Sequence, residues 1–199
     1  MKHLNLYIVI TKFVFVVSSE MNGNTFFPNL PVGKYRVNFK AIVKCKNMVD
    51  GGLQNNFYLS KTSSNTAELR GNITLMRPMR DDLTLHMNMA IKDSIGGWKD
   101  NAHLLKTSKA CSSLKNILGT EWRPYLKSFG MRNFNCPLAP GVYVSNGYDL
   151  TNAVQRSNFP KTFFYGTYKT RFYFTDDGHN NETGCATIVI EVKRPWEKD

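Results

Sequence analysis

Acidic residues, closely spaced cysteines and long apolar runs are all scarce in this chain of 199 residues. Asp and Glu number 15 against 26 Lys and Arg, a net charge of +11. The positive charge is spread along the chain, and no finger spacing, aromatic RNA-binding strand motif or basic helix accompanies it, so no nucleic-acid partner is expected. An anionic lipid head group or an acidic receptor surface fits the charge at least as well. No Cys-x-x-Cys occurs, which argues against zinc and thioredoxin-like chemistry. Gly-x-Ser-x-Gly, His-Glu-x-x-His and a Gly-rich phosphate loop are also missing. The four histidines, His3, His86, His103 and His179, are scattered, and His86 shares the polar face of its strand with Thr84 and Asn88, where an exposed ring is expected. His179 stands beside Asp176 and Asp177, but Asp-Asp-Gly is ordinary hairpin chemistry. A non-catalytic protein without cofactor or metal is the expectation. No Pro/Gly/Ser-rich linker divides the chain, and no apolar run, the N-terminal one included, reaches bilayer length.

What is present is a core-forming composition, 42% hydrophobic and 13% aromatic, enough to argue against disorder. Met1-Lys2-His3, an apolar stretch from Leu4 to Val17 and the exit Ser18-Ser19-Glu20 read as a secretory signal, despite Lys12 within it. The expected layout is a signal over 1–19 and one domain over 20–199, secreted and monomeric. Cys45, Cys111, Cys136 and Cys185 then form two disulfides with three connectivities open. Asn72-Ile73-Thr74 and Asn181-Glu182-Thr183 are glycosylation acceptors, Asn72 and Asn181 being the sites.

Along the chain, Tyr35 to Cys45 alternates apolar with basic residues, a strand with one dry and one wet face. Gln54 to Lys61 and Leu69 to Leu75 are further strands, and Pro78 to Asp82 reads as a turn. Leu83, Leu85, Met87, Met89 and Ile91 make the clearest half-buried strand, expected to pair with its predecessor as a hairpin. Gly96-Gly97 breaks the pattern, and Lys109 to Phe129 takes helical spacing, with Gly119-Thr120 as a stop and candidate N-cap between two short helices and Gly130 ending the second. Strands return at Val142 to Val144, Thr167 to Thr175 and Ala186 to Val192. The sum is a mainly all-β fold: an antiparallel, immunoglobulin-like sandwich of seven to eight strands with one short helical insertion.

Cys136-Pro137-Leu138, Gly141-Val142-Tyr143, Gly166-Thr167-Tyr168 and Gly184-Cys185 follow one another between short β-type runs. This order resembles the insect chemosensory protein B group, which is similar to the ganglioside activator and belongs to the ML lipid-recognition superfamily. The resemblance covers roughly 110–192 as motif order, not identity. It implies a non-catalytic carrier whose sheets splay apart around a lipid tail, in a chemosensory setting. It also favours a Cys111–Cys136 disulfide, leaving Cys45 and Cys185 as a closing staple.

Alternation places Phe39, Leu85, Met87, Met89, Phe172, Phe174, Ile188 and Ile190 on inward faces, where a filled core is the ordinary outcome. Methionine suits irregular cavities, and Trp122, Tyr125, Leu126 and Phe129 of the helical insertion could serve as a lid. With the resemblance, these residues are expected to line a cavity for a lipid or other long-chain apolar ligand such as a pheromone. Lys115, Arg123, Lys127 and Lys161 are candidates to pair with its head group. The competing expectation is a secreted interaction protein with a solid core whose basic face binds an acidic partner.

Overall fold

The computed structural model describes residues 30–45, 52–62, 66–176 and 181–198. Among them, the alternating runs form strands β1 (Val32–Gly33), β2 (Arg36–Val43), β3 (Leu53–Lys61), β4 (Ala67–Leu75), β5 (Leu83–Lys92), β6 (Trp98–Thr107), β7 (Gly141–Asp149), β8 (Phe163–Phe164), β9 (Gly166–Asp176) and β10 (Glu182–Lys193). The helices are α1 (Ala110–Leu118), a 3-10 turn at Gly119–Glu121, α2 (Trp122–Ser128) and α3 (Leu150–Arg156).

Antiparallel pairing builds two layers. One has the order β6-β5-β9-β10-β2 and the other β3-β4-β7. They join where the start of β10 meets β3 in parallel at Gly184 and Leu53. Glycine is required at that crossing: a Cβ on Gly52 would lie 1.6 Å from the Thr183 carbonyl oxygen, and one on Gly184 would lie 2.6 Å from the Leu53 Cβ. The layers face one another, since Leu85 and Phe174 of the first share a core with Phe57, Leu69 and Leu75 of the second. The fold is therefore the expected all-β sandwich with a helical insertion. A separate two-stranded ribbon, β1 with β8, stands beside the layers.

Both expected disulfides form: the Cys111–Cys136 pair that the resemblance favours and the remaining Cys45–Cys185 pair. Cys111 and Cys136 have Cα atoms 5.9 Å apart, and Cys45 and Cys185 6.1 Å. The first ties the start of α1 to the segment leading into β7. The second fastens the end of β2 to β10.

Three expectations need correction. Strand β6 follows Gly96-Gly97, where the sequence reads as a break; it is an edge strand exposed along most of its length, so burial imposes no alternation on it. The β4–β5 hairpin is not made. β4 pairs with β3 and β7, β5 with β6 and β9, and the intervening segment crosses between layers, held by paired backbone hydrogen bonds of 3.0 and 3.1 Å between Met79 and Leu138. Finally, helical structure is not confined to one insertion, because α3 adds a second helical segment, between β7 and β8. It buries only Ala153, and Asp149 caps it by accepting the Asn152 N–H at 3.0 Å.

Within the insertion the expected stop is present, with Gly119 at φ 55° ending α1. Thr120 does not cap α2; its hydroxyl donates instead to the Arg156 carbonyl at 3.0 Å. The signal assigned to 1–19, the turn tip at Asp177-Gly178 and His179 lie outside the described residues. Among the described residues no helix is long and apolar enough to cross a membrane.

Candidate ligand-binding site

Directly opposed residues of paired strands point to the same side of a sheet. On that basis Leu85 opposes Phe174, Met87 opposes Phe172, and Met89 opposes Thr170. Thr170 in turn opposes Ile188, and Tyr168 opposes Ile190. At the far edge Ile190 opposes Phe39 and Ile188 opposes Ile42. All eight strand residues expected to face inward thus share the inner face of the five-stranded layer.

That face is covered at both ends. At one end the insertion buries Trp122, Leu126 and Phe129 against Leu85 and Phe174. Phe129 meets Phe57 of the opposite layer edge-on at 5.7 Å, and Tyr125 meets Tyr148 edge-on at 5.2 Å. The Trp122 indole donates to the Phe134 carbonyl at 2.7 Å, and burial pushes the Tyr125 hydroxyl up to about 12. The four insertion residues are therefore the end wall of the interior, fixed in its core. At the other end Tyr168, Met89 and Val192 pack with Tyr35, Phe163 and Tyr165 beside the β1–β8 ribbon. His103, opposite Met89 on β6, lies 4.9 Å from the Phe163 ring.

Between these ends the row formed by Met87, Phe172, Ile188 and Ile190 is only half-buried. Leu105, opposite Met87 at the β6 edge, is 39% exposed. Thr170, in the same row, is 3% exposed, and its hydroxyl has no hydrogen-bond partner among the described residues. A buried hydroxyl without a partner costs about 1–3 kcal/mol. Large apolar side chains meet solvent here on the side of the sheet that the fold turns inward.

A cleft of about 540 Å³ opens at the β2 side of the sandwich. Its lining includes Phe39, Trp196, Arg36, Lys61, Lys198 and Gln155. Helix α3 forms one wall, where the Thr151 hydroxyl accepts the Ala67 N–H at 3.3 Å. Phe39 belongs both to this cleft and, through Ile190, to the inner face. The one carboxylate among the lining residues, Glu197, accepts from the Arg194 guanidinium at 2.7 Å, which lowers its pKa. Arg36 donates to the Glu197 carbonyl. The Lys61 and Lys198 ammonium groups have no carboxylate partner among the described residues.

The other candidates lie elsewhere. Lys115 and Lys127 are exposed on the insertion. Arg123 sits over the Phe134 ring at 5.7 Å. Lys161 donates to the carbonyls of Gln155 and Ser157 at 3.0 Å each, so its ammonium is held by backbone. His86 is half-buried on the outer face, stacked 4.5 Å from Tyr173 and bonded to the Thr175 hydroxyl at 2.9 Å. Burial, then Lys106, lowers its pKa. Asn72 is half-buried in β4 and Asn181 is exposed before β10.

Sequence reasoning missed the buried Glu121. Its carboxylate accepts the Tyr148 hydroxyl at 2.9 Å and the Arg156 guanidinium at 2.7 Å, so both oxygens are engaged in joining the 3-10 turn, β7 and α3. No three metal-ligating side chains converge among the described residues. No protein family and no curated protein matches this chain.

Proposed function

We propose that this protein is a secreted, non-catalytic carrier that holds a lipid or other long-chain apolar ligand between its two β-layers. The observation that carries this reading is the half-buried row of Met87, Phe172, Ile188 and Ile190 on the inward side of the sheet. Two disulfides suit an oxidising compartment and support secretion. The resemblance of the C-terminal motifs to the ML superfamily, and within it to the insect chemosensory protein B group, points the same way and suggests a pheromone-like ligand.

Burying an aliphatic chain contributes about 0.8 kcal/mol per methylene, so about ten to fifteen buried methylenes supply roughly 8–12 kcal/mol before the cost of association. Micromolar affinity, about 8 kcal/mol, is therefore within reach of a long chain without directed polar contacts. Selectivity for chain length would be graded.

Uptake of a fluorescent fatty-acid probe tests the reading. The wild-type protein should bind the probe, and Phe172→Asp, which places a charge in the open row, should abolish binding while the two disulfides keep the fold. A wild-type protein that takes up no probe and releases no lipid to organic solvent would sink the carrier reading. Salt-dependent binding of an acidic protein in its place would favour the interaction protein with a filled core.

A further inference from the structure

The cleft at the β2 side combines three properties. Its lining includes Phe39, whose register partner Ile190 belongs to the inner face; its wall carries Trp196, 50% exposed; and its rim carries Arg36, Lys61 and Lys198. The internal salt link of Glu197 to Arg194 removes the carboxylate that would otherwise neutralise that rim. A volume of about 540 Å³ lies in the ordinary range of small-ligand sites. Lysines with no carboxylate partner among the described residues, beside an exposed indole and the Phe39 ring, suit a molecule with one anionic end and one hydrocarbon end.

Resting on the carrier reading, we infer that this cleft is the mouth of the ligand site and selects amphiphiles with a single anionic head group. The carboxylate or phosphate sits among Lys61, Lys198 and Arg36. Its first methylenes cross Trp196 and Phe39, and the rest of the chain continues along the inner face. Lys61 comes from the end of β3 and Lys198 from beyond β10, so both layers hold the head group.

The test measures binding of oleate, methyl oleate and a lysophosphatidic acid of the same chain by calorimetry, for wild type and for Lys61→Glu/Lys198→Glu. Both lysines are exposed, and an unchanged thermal midpoint checks that the variant folds. Wild type should bind oleate or the lysophosphatidic acid about tenfold more tightly than methyl oleate, as charge-assisted contacts imply. The one that binds more tightly identifies the head group as carboxylate or phosphate. The double reversal should remove that advantage and leave methyl oleate unchanged, and Trp196→Ala should weaken all three. Equal affinity of wild type for oleate, lysophosphatidic acid and methyl oleate, or an unchanged preference in the double variant, would overturn the head-group assignment while the carrier reading stands. Binding of none of the three would overturn both.

Discussion

Glu121 is the deepest charge in the described fold, 3% exposed, and its two oxygens have different partners. Tyr148→Phe removes the donor to one oxygen and leaves that oxygen of the carboxylate without a partner. A hydrogen bond to a buried charged group is worth about 1.5–3 kcal/mol. For a chain of this length, a loss of about 2 kcal/mol lowers Tm by about 4–8 °C. Glu121→Leu alone strands the Tyr148 hydroxyl, whose pKa burial and the Glu121 hydrogen bond both raise, while Arg156 returns to water. The double variant Glu121→Leu/Tyr148→Phe leaves neither group stranded. It should be less destabilised than the sum of the singles by about 1–2 kcal/mol. Urea unfolding followed by circular dichroism reads all three, with an unchanged denaturant slope as the sign of an intact fold. Additivity within about 0.5 kcal/mol, or a neutral Tyr148→Phe, would refute this account of the cluster.

Replacing both Cys111 and Cys136 by Ala opens a loop of sequence separation 25. Chain entropy puts the loss at about 3.5 kcal/mol, a fall in Tm of roughly 7–14 °C by calorimetry; a fall below about 2 °C would contradict it. Gly71→Ala should destabilise by about 2 kcal/mol or more, because φ is +113° and the new Cβ would lie 2.0 Å from the Asn56 carbonyl oxygen. Wild-type stability in chemical denaturation would refute that strain. Acid should destabilise in two stages. His86 has a lowered pKa in the fold, so its contribution is complete above about pH 6.5 and is lost as pH falls through the folded value. Asp81, lowered by the Ser112 side-chain and backbone donors, and Glu197, lowered by Arg194, contribute above about pH 4 and lose that contribution on further acidification. Tm that rises between pH 7 and pH 3 would contradict these signs.

Strands β5, β9 and β10 were legible as alternating runs, and the register places their alternate large apolar residues on one side of the sheet. Edge strand β6 was not, because solvent on most of its length leaves Leu104 and Leu105 both exposed and removes the period that burial enforces. Helix α3 was hidden for a related reason: seven residues with one buried side chain carry no helical stripe. The β4–β5 hairpin failed because adjacency in sequence does not distinguish a turn within a layer from a crossing between layers. Of the site, the inner row was readable from period two alone. The cleft was not, since Arg36, Lys61, Gln155 and Trp196 come together only through the pairing of β2 with β10 and the placement of α3. Glu121 carried no signal in the sequence, because its partners lie 27 and 35 positions away.

The central claim is that a long-chain ligand occupies the space between the layers. Native mass spectrometry combined with organic extraction, on the chain secreted from insect cells, addresses it most directly. The account predicts a mass excess in the lipid range that organic solvent removes and added oleate restores in wild type, with no excess in Phe172→Asp. A bare polypeptide mass with two disulfides, unchanged by incubation with fatty acids and long-chain esters, would contradict it.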